Sequence, residues 1–81
     1  MELTKMKNIG STMERKLKSI GIHDAEKLME VGSKDAYICL KEFYPATCLV
    51  HLYALQGAID DIEYNRLPPD TVKDLKEFVK D

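Results

Sequence analysis

The apolar positions of the chain fall into helical stripes. Met13, Leu17 and Ile20 recur at i, i+4 and i+7, behind Ser11-Thr12-Met13-Glu14, whose serine and glutamate have the spacing of a capping box. The pattern predicts a first helix over 12–20, closed by Gly21. Ala25, Leu28, Met29 and Val31 make a short apolar face behind Asp24, a favourable N-cap, and Gly32 ends a second helix over 25–31. Ser33 is the expected cap of a third helix. In it Ala36, Tyr37 and Leu40 share one face, Phe43 and Tyr44 follow, and Pro45 interrupts.

From Cys48 to Ile62 the chain reads CLVHLYALQGAIDDI, apolar on almost every side until Asp60. A helix apolar all round belongs at the centre of a fold. Gly57 costs such a helix about 1 kcal/mol relative to alanine, a cost that close approach of another helix would offset. The segment NRLPPD breaks the pattern. A last helix over 69–80 follows, with Val72, Leu75, Phe78 and Val79 as its stripe and Lys73, Asp74, Lys76 and Glu77 facing water. No stretch sustains period-two alternation. The expected architecture is all-α, a compact bundle of about five short helices forming one domain over residues 1–81.

Composition agrees with an ordinary globular domain: 81 residues, 44% hydrophobic and 32% charged, near the lower size that buries a core without disulfides or metal. No apolar run has the length of a signal peptide or a membrane span, so a cytoplasmic protein with no membrane partner is expected. Two cysteines, Cys39 and Cys48, fit reduced thiols in that compartment. The net charge of −2 argues against a generic nucleic-acid binder. Its distribution is uneven: residues 1–20 carry a local +3 and the remainder −5. An anion-binding surface is therefore to be sought at the N-terminal end, where the competing reading is a solvated helix face with a Glu14 to Lys18 pair.

Candidate chemistry is sparse. Cys48 and His51 stand at i, i+3, a spacing a metal could use, but further ligands would have to come from Cys39 and His23 with no recognisable spacing. Cys48 as a small core residue and His51 at the edge of the buried helix is the more economical reading. Neither cysteine comes with a base, an orienting group and an oxyanion site. Asp60 and Asp61 are adjacent, so they diverge by about 100° on a helix and form a solvated end rather than an acid–base pair. No catalytic residue, cofactor, metal or small-molecule substrate is inferred. The aromatic residues Tyr37, Phe43, Tyr44, Tyr53, Tyr64 and Phe78 are not interleaved with lysine or arginine, so core and rim packing is expected of them. Five short helices leave few ways to cover every stripe, and an exposed apolar patch used for self-association stays open.

Gly21 and Gly32 end helices, whereas Gly10, in the loop KNIGS, precedes one. The backbone amides there and the first amides of the helix point where an anion could bind, beside Lys7. This half resembles the helix-hairpin-helix motif, in which a glycine hairpin leads into a helix whose N-terminus holds a DNA phosphate. Asn8 occupies the motif's first glycine position, and asparagine can adopt left-handed geometry. The resemblance implies sequence-independent contacts to the DNA backbone through Lys7, Asn8, Gly10 and Ser11, with Arg15 and Lys16 assisting.

A longer resemblance covers residues 8–78. Asn8-Ile9-Gly10, then Gly21-Ile22, then Gly32 with Ala36-Tyr37, then Leu52 to Ala58 (LYALQGA), then Leu67-Pro68 follow the ordered landmarks of the C-terminal domain of TfoX (Sxy) regulators of bacterial competence. One departure is Tyr64, where tryptophan is common in the family. The resemblance implies an all-helical fold related to helix-hairpin-helix (SAM-like) domains and a role in regulating DNA-uptake genes. It also implies a free-standing version without the N-terminal domain that the regulators carry. Binding to a protein partner or to a second copy, as a homodimer, is the expected mode of action, with DNA-backbone binding as the alternative.

Overall fold

The computed structural model describes residues 1–80. Five α-helices, α1 (Ser11–Ser19), α2 (Ala25–Val31), α3 (Ser33–Phe43), α4 (Leu49–Asp60) and α5 (Pro69–Lys80), pack with no strand among the described residues. The all-helical expectation holds, and the five predicted spans agree with the observed ones to within a few residues. Two single-turn 3-10 segments, Leu3–Lys5 and Tyr64–Arg66, complete the order. The first carries Leu3 into the core, with Met6 and Ile9 following at three-residue intervals.

The helix starts differ from expectation at two places. Gly10, in extended backbone, is the N-cap of α1, and its carbonyl accepts from the Glu14 amide at 3.0 Å. Ser11 is already helical, so the capping box does not form. Glu14 faces Lys18 at 3.8 Å instead. At α3 the cap is Gly32, whose φ of 87° both ends α2 and redirects the chain. Ser33 lies inside the helix, buried, and its hydroxyl donates to Gln56 Oε1 on α4. Asp24 caps α2 as predicted, Oδ1 accepting from the Lys27 amide at 2.8 Å. Gly21, at φ 90°, lets the Ile22 amide turn back to the Leu17 carbonyl at 2.9 Å.

Helix α4 is the axis, packing against α2, α3, α5 and the second 3-10 turn. Its Leu52 and Leu55 have no exposed surface and meet a core that includes Leu17, Leu28, Leu40 and Leu75. Three apolar expectations are corrected. Met29 is half exposed, because the two turns of α2 bury only the edge bearing Ala25 and Leu28. Phe43, at 67% exposure, ends α3 beyond the turn whose inward positions Leu40 and Tyr44 occupy. Cys48 is exposed rather than in the core, because it is the N-cap of α4. The α3–α4 turn is tied by Lys41, whose ammonium donates to the Pro45 and Thr47 carbonyls at 3.0 and 2.8 Å.

Asn8 holds the N-terminal segment to the far end of α4. Its backbone is left-handed, φ 70°. Its Nδ2 donates to the Ala54 and Ile62 carbonyls at 3.3 and 3.0 Å, while Oδ1 accepts from the Tyr64 amide at 3.1 Å. Below it, Asp61 ends α4 at φ 59° and the Ile62 amide returns to the Gly57 carbonyl at 2.8 Å. Gly57 is buried directly under this turn. A Cβ there would overlap the Ile62 carbonyl oxygen and the Asn8 amide nitrogen. A side chain and a returning backbone, rather than a neighbouring helix, therefore account for the glycine.

Two substitutions test this arrangement. Gly57→Ala gains about 1 kcal/mol of helix propensity but forces a backbone carbonyl aside, with an expected net loss of about 2 kcal/mol, or roughly 10 °C in Tm for a chain of this size. Asn8→Asp keeps the acceptor for Tyr64 while removing both donors and facing a carboxylate toward two carbonyls, with a loss of about 2–4 kcal/mol expected. Thermal and urea unfolding read both; wild-type stability in either variant would show that the contact at the end of α4 does not constrain the fold.

Candidate functional site

Two surface concavities stand out, and the first is apolar. Helix α4 is apolar on all sides, but its neighbours cover only part of it, which leaves Val50 in its first turn 53% exposed. Tyr64, in the turn that leads toward α5, is 46% exposed. These two side chains, with Tyr53, Asn65, Val72 and Lys76, line a depression of about 380 Å³. A second depression of about 540 Å³ shares Val72 and Lys76 with it and continues along α5 over Leu67 and Pro69. Together they form one groove. It exists because α5 turns Leu75 fully inward and packs the edges of Phe78 and Val79 on the core, leaving Val72 half covered.

Charge on the groove is asymmetric. Lys73, Lys76 and Lys80 line the α5 side against Glu77. Lys73 and Lys76 make no ion pair with a described residue, whereas on the other flank of α5 Asp74 is engaged by Lys34 of α3 at 2.9 Å. The Tyr53 hydroxyl is enclosed at the groove wall without a hydrogen-bond partner among the described residues. Such a group costs about 1–3 kcal/mol relative to a satisfied one.

The second concavity, about 390 Å³, lies at the start of α1 and is lined by Gly10, Ser11, Thr12, Met13, Lys16 and His51. No side chain caps α1, so its first amides stay open to this space. Of the six residues expected to contact DNA, the fold brings Gly10, Ser11 and Lys16 together here. Lys7 and Arg15 are exposed but do not line the concavity, and the Asn8 side chain is turned inward to its three hydrogen bonds. Gly10 has φ −94°, ordinary extended backbone, and the left-handed residue of the loop is Asn8. Lys16 Nζ lies 5.0 Å from the centre of the Tyr44 ring, whose hydroxyl meets Ser19 Oγ at 2.8 Å.

His51 reaches this place because its Nδ1 accepts from the Cys48 amide at 2.9 Å, which helps to close the start of α4. The Cys48 thiol lies 3.4 Å from the same nitrogen. Both cysteines are free and exposed. Among the described residues no three His, Cys, Asp or Glu side chains converge as metal ligands, and no helix is long and apolar enough to cross a membrane. The groove residues Val50, Tyr53 and Tyr64 were not separable from core positions by periodicity. The signal that bears on them is the all-round apolarity of α4 in a chain too short to surround it.

The model of the TfoX C-terminal domain matches residues 1–79. The chain is similar to an uncharacterised protein from Listeria monocytogenes, solved in a triclinic crystal form, at 35% identity and TM-score 0.93, over 96% of this chain and 89% of that one. It is likewise similar to a protein of unknown function from Listeria monocytogenes in a tetragonal form, at 34% identity and TM-score 0.91, over 95% of each chain. No curated protein matches.

The orphaned hydroxyl gives a stability test of the groove wall. Tyr53→Phe keeps the ring and removes the unpaired oxygen, so stability is expected to stay level or rise by about 1 kcal/mol. A loss of more than about 1 kcal/mol in urea unfolding would mean that the hydroxyl has a partner in solution.

Proposed function

The chain belongs to the TfoX C-terminal domain family, and on that premise we propose that it is a non-catalytic regulatory module that acts by binding a protein partner or a second copy of itself. The observation that carries this reading is the groove between α4 and α5, where Val50 and Tyr64 are exposed beside Val72 although the core of the chain is already filled. Apolar side chains concentrated in one concavity fit a protein surface better than solvent. Among the described residues no set of nucleophile, base and oxyanion donor lines either concavity, which favours binding over chemistry. Family membership supports a regulatory setting such as control of DNA-uptake genes, and the two free, exposed thiols fit a reducing cytoplasm. Sedimentation velocity across concentrations, joined to partner capture from a bacterial lysate, tests the proposal. A strict monomer that retains no protein would sink it.

A second reading, weak sequence-independent DNA binding, is favoured by one specific observation: the uncapped amides of α1 open onto a concavity that also holds Lys16. Lys7 and Arg15 would add phosphate contacts from its surroundings. Affinity for duplex DNA should then fall steeply with salt and be lost in Lys7→Glu. In an NMR titration at low salt the amides of residues 7–12 should shift; unmoved amides there would remove this reading.

A further inference from the structure

The charge and shape of the groove narrow the chemistry of what it binds, on the premise that the domain is an interaction module. On α5, Pro69, Val72, Lys76 and Lys80 follow at intervals of three and four residues, so one ridge about 16 Å long runs the length of the groove. Its floor is apolar, through Leu67, Pro69 and Val72. Its rim is basic, with three lysines against one glutamate, and Lys73 and Lys76 have no ionic partner among the described residues. This surplus lies on a chain whose net charge is −2, so it is local and opposed to the whole.

An apolar floor with a basic edge is complementary to a segment that presents a stripe of leucine-like side chains with Asp or Glu beside it. We propose that this groove docks an acidic amphipathic helix of about three turns from a partner protein, with its carboxylates reaching Lys73, Lys76 and Lys80 and its apolar stripe seated over Val72 toward Val50 and Tyr64. A nucleic acid makes poorer use of the site, since phosphates gain nothing from the apolar floor and Asp70, Asp74 and Glu77 share the same helix. A second copy offers exposed Ile38 and Phe43 beside Asp35 and Glu42 on α3, which would dock head to tail and build open chains or rings rather than a two-fold dimer. It also offers exposed Met29 between Glu26 and Glu30 on α2. That face spans only a seven-residue helix, and both glutamates are already engaged, by Met1 and Lys27.

The test is an NMR titration of the whole chain with a helical peptide of about fourteen residues bearing a leucine stripe flanked by glutamates, with its lysine-for-glutamate counterpart, and with a DNA duplex. The glutamate peptide is expected to shift the amides of Val72, Lys73 and Lys76 saturably, and to bind at least about tenfold more tightly than the lysine peptide. In the double variant K73E/K76E, whose side chains are exposed so that its circular dichroism should match the wild type, that preference should invert. The proposal is overturned if α5 does not respond to the glutamate peptide, if both peptides bind alike, or if DNA shifts the same amides in preference. It is also overturned if the chain associates with itself and the α5 amides broaden with concentration. Partner capture that survives K73E/K76E would refute this groove while leaving the interaction module standing; no capture by either chain would remove both.

Discussion

The contact on which the rest of the structure depends is that of the Asn8 side chain with the end of α4. One amide group supplies two donors and one acceptor to three backbone groups, the Ala54 carbonyl within α4 and the Ile62 carbonyl and Tyr64 amide of the segment that follows it. It thereby fixes three things together: the left-handed turn before α1, the exit of the chain from α4, and the approach of the second 3-10 turn to the helix. Gly57 is the other half of the same constraint, because the amide and the Ile62 carbonyl occupy the space where a Cβ would stand. In so small a domain, with few layers to share the load, the loss of one such tie is felt across α1, α4 and α5.

The consequence for the N-terminal loop is chemical as well as structural. The loop resembles an anion-binding hairpin through Gly10 and the helix that follows it, although an asparagine stands where the motif's first glycine is usual. That asparagine has its left-handed backbone, but its side chain is used internally, so any anion at the loop must be held by backbone amides and lysines alone. The open amides at Ser11 and Thr12 follow from Gly10 taking the cap position, since a glycine has no side chain with which to satisfy them. A capping box would have closed this concavity; its absence is what keeps it accessible.

Much of the architecture was legible because helix stripes and stops are local. Leu17, Leu28, Leu40, Leu52 and Leu75 announce their burial by spacing, and Asp24, Pro45 and Pro69 mark ends through the backbone chemistry of single residues. What was not legible depends on partners distant in sequence. Gly57 could be recognised as a close approach, but Asn8, which makes that approach, is almost fifty residues away. The capping roles of Ser11 and Ser33 failed because each competes with a glycine immediately before it, and tertiary packing decided for the glycine. Ser33 shows why: inside the helix its hydroxyl reaches Gln56 of α4, a contact that a cap position would have forgone. Phe43 and Met29 share the apolar character of core residues, and only the short length of their helices leaves them outside.

Charge summed over long segments proved a poor guide to where a binding surface lies. The excess of positive charge in residues 1–20 directed attention to the first helix, while the acidic remainder of the chain conceals a basic edge on its last helix. The reason is geometric. Helix α5 alternates lysines and acids in sequence, but its turn of about 100° per residue collects Lys73, Lys76 and Lys80 at the groove and sends Asp74 toward Lys34 on the opposite flank. Because Leu75 fixes the rotation of α5 on the core, the same packing that buries one leucine also decides which charges a partner meets. The apolar floor is set by the same rotation through Val72. The rim and the Val72 part of the floor thus follow from how one face of α5 packs on the core, which couples the stability of α5 to the character of its outer face.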